Sequence, residues 1–185
     1  MKTYAERVTA IIAELDAALR LINSAELDAL RAAIRRARRV FITGKGRSGL
    51  QMRAFAMRLM HMGFTVYVLD EVTTPAITAG DLLIVGSGSG GTASLVQYVT
   101  RAKTLGAAIA LLTTAPHSPI GTQAELVVQI PAASPKISSA GGSIQPMANL
   151  FEQALLITLD IIVMQLMDEL NLTSEQMFTR HANLE

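Results

Sequence analysis

The chain has 185 residues with 16 Lys+Arg against 15 Asp+Glu, for a formal net charge of +1; it is long enough for one domain with a buried core and lacks the basic excess of a dedicated nucleic-acid binder. It contains no cysteine, which excludes disulfides and thiolate zinc sites, and its three histidines are too scattered along the sequence to suggest metal-ligand spacing. Hydrophobic residues make up 50% and charged residues 17%, and the mean hydropathy of +0.37 is high for a small monomer, so part of the surface is expected to be covered by other subunits.

The opening residues Met1-Lys-Thr-Tyr-Ala-Glu-Arg7 lack the apolar core of a signal peptide, and the expected location is the cytoplasm. Residues 4–22 read as a helix, with Val8, Ile11, Ile12, Leu15, Leu19 and Ile22 on one apolar stripe. Ser24 is the expected N-cap of a second helix, with Glu26 in its first turn and Arg35-Arg36-Ala37-Arg38-Arg39 at its end. Those arginines read as cations at a helix C-terminus and on a solvated face rather than as a nucleic-acid contact. Residues 39–43 form the first strand, followed by the glycine loop Gly44-Lys-Gly-Arg-Ser-Gly49. A helix over 50–62 carries Arg53, Arg58 and His61. The second and third strands are expected at 64–69 and 81–86.

After the third strand comes a second small-residue loop, Ser87-Gly88-Ser89-Gly90-Gly91-Thr92, and then a helix over 93–105. Strands four and five fall at 107–112 and 125–130, and a Pro- and Gly-containing loop at 131–146. Residues 147–167 are almost continuously apolar, interrupted by Glu152, Gln153, Asp160 and Gln165. Two carboxylates at bilayer depth would cost roughly 2.5–3.5 kcal/mol each. The segment is therefore read as a helix buried on most sides, as in a subunit interface, and no membrane association is expected. A short helix at 174–179 and the tail Arg180-His-Ala-Asn-Leu-Glu185 complete the chain.

Alternating strands and helices imply an α/β fold: a five-stranded parallel sheet with helices on both faces. In the flavodoxin-like order 2-1-3-4-5, strands one and three are neighbours whose connections leave in opposite directions, opening a crevice at their carboxyl ends. Both small-residue loops follow those two strands. Either loop alone could be a flexible turn; two converging on one crevice point to a site. The second offers three hydroxyls and three glycines at a helix N-terminus, which suits a phosphate needing close backbone approach and neutral donors. The first is not a Walker loop. Gly44-x-Gly46-x-x-Gly49 has dinucleotide spacing, with Asp70 placed to hold a ribose, so a nucleotide stays open on that feature alone. The hydroxyl cluster favours a single phosphomonoester.

Gly-x-Gly-Arg-Ser-Gly after strand one and Ser-x-Ser-Gly-x-Thr after strand three resemble the sugar isomerase (SIS) domain family. Further segments resemble its 6-phospho-3-hexuloisomerase branch: Ala54-Phe-Ala-Met-Arg-Leu-Met-His-Met-Gly63, Thr73-Thr-Pro-Ala-Ile77, Gly80-Asp-Leu-Leu-Ile84, Ser143-Ile-Gln-Pro-Met147, Leu150-Phe-Glu-Gln153 and His181-Ala-Asn-Leu-Glu185. Gly91 departs from the pattern, since the family often carries Glu there. The resemblance implies a single SIS domain over 1–185, with a helical extension over about 1–38 and interface helices over about 147–180. It also implies interconversion of D-arabino-hex-3-ulose 6-phosphate and D-fructose 6-phosphate, the step that follows the aldol reaction in the ribulose monophosphate pathway of formaldehyde assimilation. A homotetramer with sites at subunit interfaces is the assembly it implies.

Moving a carbonyl from C3 to C2 needs one group able to take and return a proton through a cis-enediolate, with neither metal nor redox cofactor. Glu152, in the opening turns of the apolar helix and within a family-like segment, is the expected base; Asp160, two turns on, is its rival. His61 and His181 are candidates for polarising the carbonyl, shuttling hydroxyl protons or assisting ring opening, and His117 reads as surface. Ser48, Ser87, Ser89 and Thr92, with Gly46 and Gly88, should hold the phosphate, and Lys45 and Arg47 should neutralise it or contact hydroxyls. Two other functions fit the same family: isomerisation of another sugar phosphate, such as arabinose 5-phosphate, and non-catalytic sensing of a sugar phosphate.

Overall fold

The computed structural model describes residues 1–132 and 142–184; most of the loop expected at 131–146 thus lies outside the described residues. Among the described residues eleven elements follow in order: α1 (Tyr4–Leu19), α2 (Ser24–Arg36), β1 (Val40–Gly44), α3 (Gly46–His61), β2 (Val66–Val68), β3 (Leu82–Gly86), α4 (Ala93–Thr104), β4 (Ala108–Thr113), β5 (Leu126–Gln129), α5 (Asn149–Leu170) and α6 (Ser174–Phe178). The strands form one parallel sheet in the order β2-β1-β3-β4-β5, as expected.

The central strands send alternate residues to two cores, following the period of two. Val40, Ile42, Leu82 and Ile84 pack with Leu30 and Ile34 of α2, Met52 and Leu59 of α3, and Phe151 and Leu155 of α5. Phe41, Leu83 and Val85 pack on the other face with Leu95 and Val99 of α4. Helices cover both faces, and the heavier layer carries α5. That helix is apolar and long enough to cross a membrane by composition, yet 56% of its apolar window is buried inside the chain, against α1, α2 and α3. Met164 and Ile161 on its outer side remain exposed.

Several local expectations need correction. Asn23, not Ser24, caps α2: its side chain accepts a hydrogen bond from Ala25 N at 3.0 Å. Ile12 lies off the buried stripe of α1 and is 60% exposed. β2, at one edge of the sheet, is three residues long rather than six, and among the described residues it pairs with β1 alone. Arg38 and Arg39 do not simply face solvent, since both reach the buried carboxylate of Asp81, Arg39 at 2.6 Å and Arg38 at 3.2 Å. α3 begins at Gly46 rather than Leu50, so the first glycine loop shrinks to Lys45 and a helix N-terminus.

Candidate active site

The two sequence loops meet in one cavity of about 190 Å³ at the carboxyl ends of β1 and β3. Its polar wall is Lys45 and Ser48 from one loop and Ser87, Ser89 and Thr92 from the other, and Met147 and Phe151 form the apolar wall. Tight packing brings the backbones this close. A Cβ on Gly49 would lie 2.6 Å from the Gly44 oxygen, so only glycine lets the first turn of α3 press onto the end of β1. Gly90 has φ 55°, and a Cβ there would lie 1.9 Å from Ser118 Oγ; the loop can close over the buried Ser118 only with glycine at that position. Gly91 is different: a side chain there would meet nothing nearer than 3.7 Å, so the absence of the family's Glu has no steric cause.

The electrostatics of the cavity suit an anion. The N-terminal turns of α3 and α4 both open at it, and Lys45 and Thr92, their N-caps, make no side-chain capping bond. Those helix ends therefore keep amides and a hydroxyl to offer a ligand. Lys45 Nζ lies 2.6 Å from Asp70 Oδ2 and 5.3 Å from the centroid of Tyr98, whose hydroxyl donates to Asp70 Oδ1 at 2.7 Å. The hydrogen bond that Lys45 donates to Asp70 raises the pKa of Lys45, and Lys45 and then Tyr98 lower that of Asp70. With both carboxylate oxygens engaged, Asp70 is not the vacant ribose acceptor that the dinucleotide spacing suggested.

Glu152 sits in the first turn of α5, 8% exposed. Arg47 Nε donates to its Oε2 at 2.5 Å. Arg47 thus engages the candidate base rather than the cavity wall; neither Arg47 nor Glu152 lines the cavity, but each is next in sequence to a residue that does, Ser48 and Phe151. Gly46, with φ 57°, starts α3.

The histidines occupy a different place. His61, 4% exposed at the end of α3, stacks on His181 with ring centroids 5.4 Å apart, and Phe178 stacks on His181 at 5.5 Å. Arg58 Nη1 lies 3.4 Å from His61 Nδ1. Burial, then the charges of Arg58 and His181, lower the pKa of His61, favouring the neutral ring. These side chains line a second cavity of about 290 Å³ with Met167 and Met177. Two histidines 120 positions apart in sequence are therefore neighbours, which their spacing did not suggest. His117 is exposed on the turn after β4, and Asp160 is exposed on α5.

One chain therefore unites Ser48, Ser87, Gly88, Ser89 and Thr92 around a cavity with Lys45 at its rim and Glu152 and Arg47 alongside. It does not bring His61 and His181 to that cavity. From Ser48 to His61 the helix rises about 20 Å at 1.5 Å per residue. Sequence reasoning missed the Arg47–Glu152 pair, the Asp70–Tyr98 clamp on Lys45, and Thr113 and Thr114, whose hydroxyls bond the loop backbone. None has a local signal, because each depends on segments brought together by the sheet.

A parallel sheet of this order with two hydroxyl- and glycine-rich loops at its switch point defines a doubly wound α/β domain with a crevice suited to an anion. The sequence model of the SIS domain matches residues 33–159, and the chain belongs to that family. It is 47% identical over 187 residues to the 3-hexulose-6-phosphate isomerase of Bacillus subtilis (strain 168), covering all of both chains. It is 49% identical over 147 residues to that of Mycobacterium gastri, covering 80% of this chain and 74% of the relative. Among solved structures, a Methanococcus jannaschii protein with an inferred 3-hexulose-6-phosphate isomerase function superposes with a TM-score of 0.85 at 33% identity, covering 97% of this chain and 99% of that one.

Proposed function

We propose that this chain is a sugar-phosphate isomerase that interconverts 3-hexulose 6-phosphate and fructose 6-phosphate. The observation that carries the reading is the single cavity made by two hydroxyl-bearing loops with a buried carboxylate beside it, in a chain with end-to-end likeness to isomerases of that name. The Ser48, Ser87, Ser89 and Thr92 hydroxyls, with the amides of the α3 and α4 N-termini, bind the phosphate. Lys45 adds a positive charge at the rim.

In the reaction Glu152 removes the proton from C2 of the 3-ulose. The electron pair forms the C2–C3 double bond, and the C3 carbonyl oxygen becomes the enediolate oxygen. A proton passes from the C2 hydroxyl to that oxygen. The C2 carbonyl then forms as C3 takes back the proton from Glu152, so no electrons are lost or gained overall. Arg47, hydrogen-bonded to Glu152, orients the carboxylate and stands where it can stabilise the developing negative charge.

His61 and His181 complete the site from a neighbouring subunit of a homotetramer. Support comes from the roughly 20 Å length of helix between Ser48 and His61 and from the exposed apolar side chains Leu50, Met57 and Met60 on α3. The enzyme works in the cytoplasm. Purified protein incubated with fructose 6-phosphate should generate the 3-ulose up to equilibrium, followed by NMR of the C2 and C3 carbons. Tight fructose 6-phosphate binding without conversion would instead favour a sensor.

A further inference from the structure

We propose that Thr113 and Thr114 are positioning residues of the phosphate site, acting through the Gly88–Ser89 peptide. This deepens the reading of the 87–92 loop as a phosphate cradle and rests on it. The Gly88 carbonyl oxygen accepts three hydrogen bonds from the end of β4: from Thr114 N at 3.1 Å, Thr113 Oγ1 at 3.0 Å and Thr114 Oγ1 at 2.8 Å. A carbonyl has two lone pairs, so three donors on one side leave it little freedom to turn. Thr113 is fully buried, and its hydroxyl oxygen also accepts from Ala115 N at 3.0 Å, which fixes the donor in turn.

The consequence follows from peptide geometry. No peptide bond among the described residues is cis, and in a trans peptide the next N–H points opposite to the carbonyl. With the Gly88 oxygen held towards β4, the Ser89 N–H faces the other neighbour of β3, the β1 side, where Lys45 and Ser48 line the cavity. Among the described residues that amide has no acceptor. Glycine at position 88 is backed by the Phe151 ring, which a Cβ would approach to 3.1 Å, and it has the backbone freedom to let the peptide flip. A flip would aim a carbonyl oxygen at the phosphate in place of a donor. The threonines do not line the cavity; their part is to hold this peptide with its N–H towards the ligand.

The test uses Thr113→Val/Thr114→Val, which keeps side-chain shape, with Thr114→Val alone as the milder variant. In the double variant, KM for fructose 6-phosphate and the inhibition constant for inorganic phosphate should rise together by about tenfold, with kcat within about twofold. Thr114→Val alone should give about a threefold rise, and Thr113→Ser/Thr114→Ser should restore wild-type values. In the wild type the Ser89 amide proton should move downfield on adding inorganic phosphate, and in the double valine variant it should not. Wild-type phosphate binding by the valine variants, alongside weakened binding by Ser87→Ala/Ser89→Ala/Thr92→Ala, would refute the role of the threonines and leave the cradle standing. Wild-type binding by that hydroxyl triple as well would overturn the cradle reading and this inference with it.

Discussion

Glu152→Gln separates catalysis from stability most cleanly. The substitution keeps side-chain volume and the first turn of α5 but removes the ability to accept a proton. Structurally it loses a charge-assisted hydrogen bond to Arg47 and an acid at a helix N-terminus. Charge-assisted bonds contribute about 1.5–3 kcal/mol against about 0.5–1.5 for neutral ones, and a helix-terminal charge about 0.3–1. Arg47 has a side chain 57% exposed, so water replaces much of what it loses, and the net destabilisation should be about 1–2 kcal/mol. A domain with about 5–15 kcal/mol of stability stays almost wholly folded after such a loss. Removing a general base, by contrast, typically costs 10²–10⁴ in rate, about 3–5 kcal/mol of barrier. The expectation is a fall in kcat of about 10² or more with KM changed by only a few-fold, measured by NMR of fructose 6-phosphate conversion. Loss of deuterium exchange at C3 in D2O should accompany it. Turnover within about threefold of wild type would refute the assignment and move the role to Asp160 or a histidine.

Ser87→Ala/Ser89→Ala/Thr92→Ala should raise KM for fructose 6-phosphate by about 10² or more, with each bond to a charged oxygen contributing about 1.5–3 kcal/mol; an unchanged KM would put the phosphate elsewhere. Mixing inactive His61→Ala and Glu152→Gln subunits should restore part of the activity in reassembled hybrids, and no rescue, or a monomer by light scattering, would count against a shared site. Asp81 gives a pH prediction: burial opposes its charge, but hydrogen bonds from Arg39, Thr78 and Arg38 prevail and bring its pKa from 3.8 down to about 2. The unfolded chain takes up that proton first as pH falls, so the contribution is complete above about pH 4 and fades towards pH 2. The shift corresponds to about 2.5 kcal/mol at most, and to about 1–2 once solvent around Arg38 is allowed for. Denaturation of wild type and Asp81→Asn should differ by that amount at pH 7 and converge near pH 2; a constant difference would refute the linkage.

The sheet was legible because β1, β3 and β4 are buried on both faces and so appear as short, continuous apolar runs. The edge strand β2 has half-buried residues, and its pattern carried no marker of where pairing stops. Asn23 and Ser24 are adjacent residues of equal capping chemistry, and only the backbone turn decides between them. Arg38 and Arg39 look like a helix-end charge run until the strands are put in register. Val40 pairs with Leu82, so Arg39 and Asp81 stand side by side, and one step of register reasoning would have found the ion pair.

The candidate site divides along the same line. The phosphate loops could be read because each is a local strand–loop–helix unit whose chemistry is complete within six residues. Arg47 and Glu152 are 105 positions apart, and they meet only because α3 and α5 pack together on one face of the sheet. His61 and His181 meet only because α6 returns the tail to the end of α3. α3 therefore holds parts of both clusters at opposite ends, Arg47 and Ser48 at its start and Arg58 and His61 at its finish. A helix does not shorten, so no side-chain rearrangement within one chain brings the two together. If α3 pairs with its own copy about a two-fold axis, the start of each helix lies beside the finish of the other, and both sites are completed at once. This arrangement would also cover Leu50, Met57 and Met60, which are exposed in the single chain, and it gives one physical cause for both the apolar composition and the separation of the proposed catalytic residues.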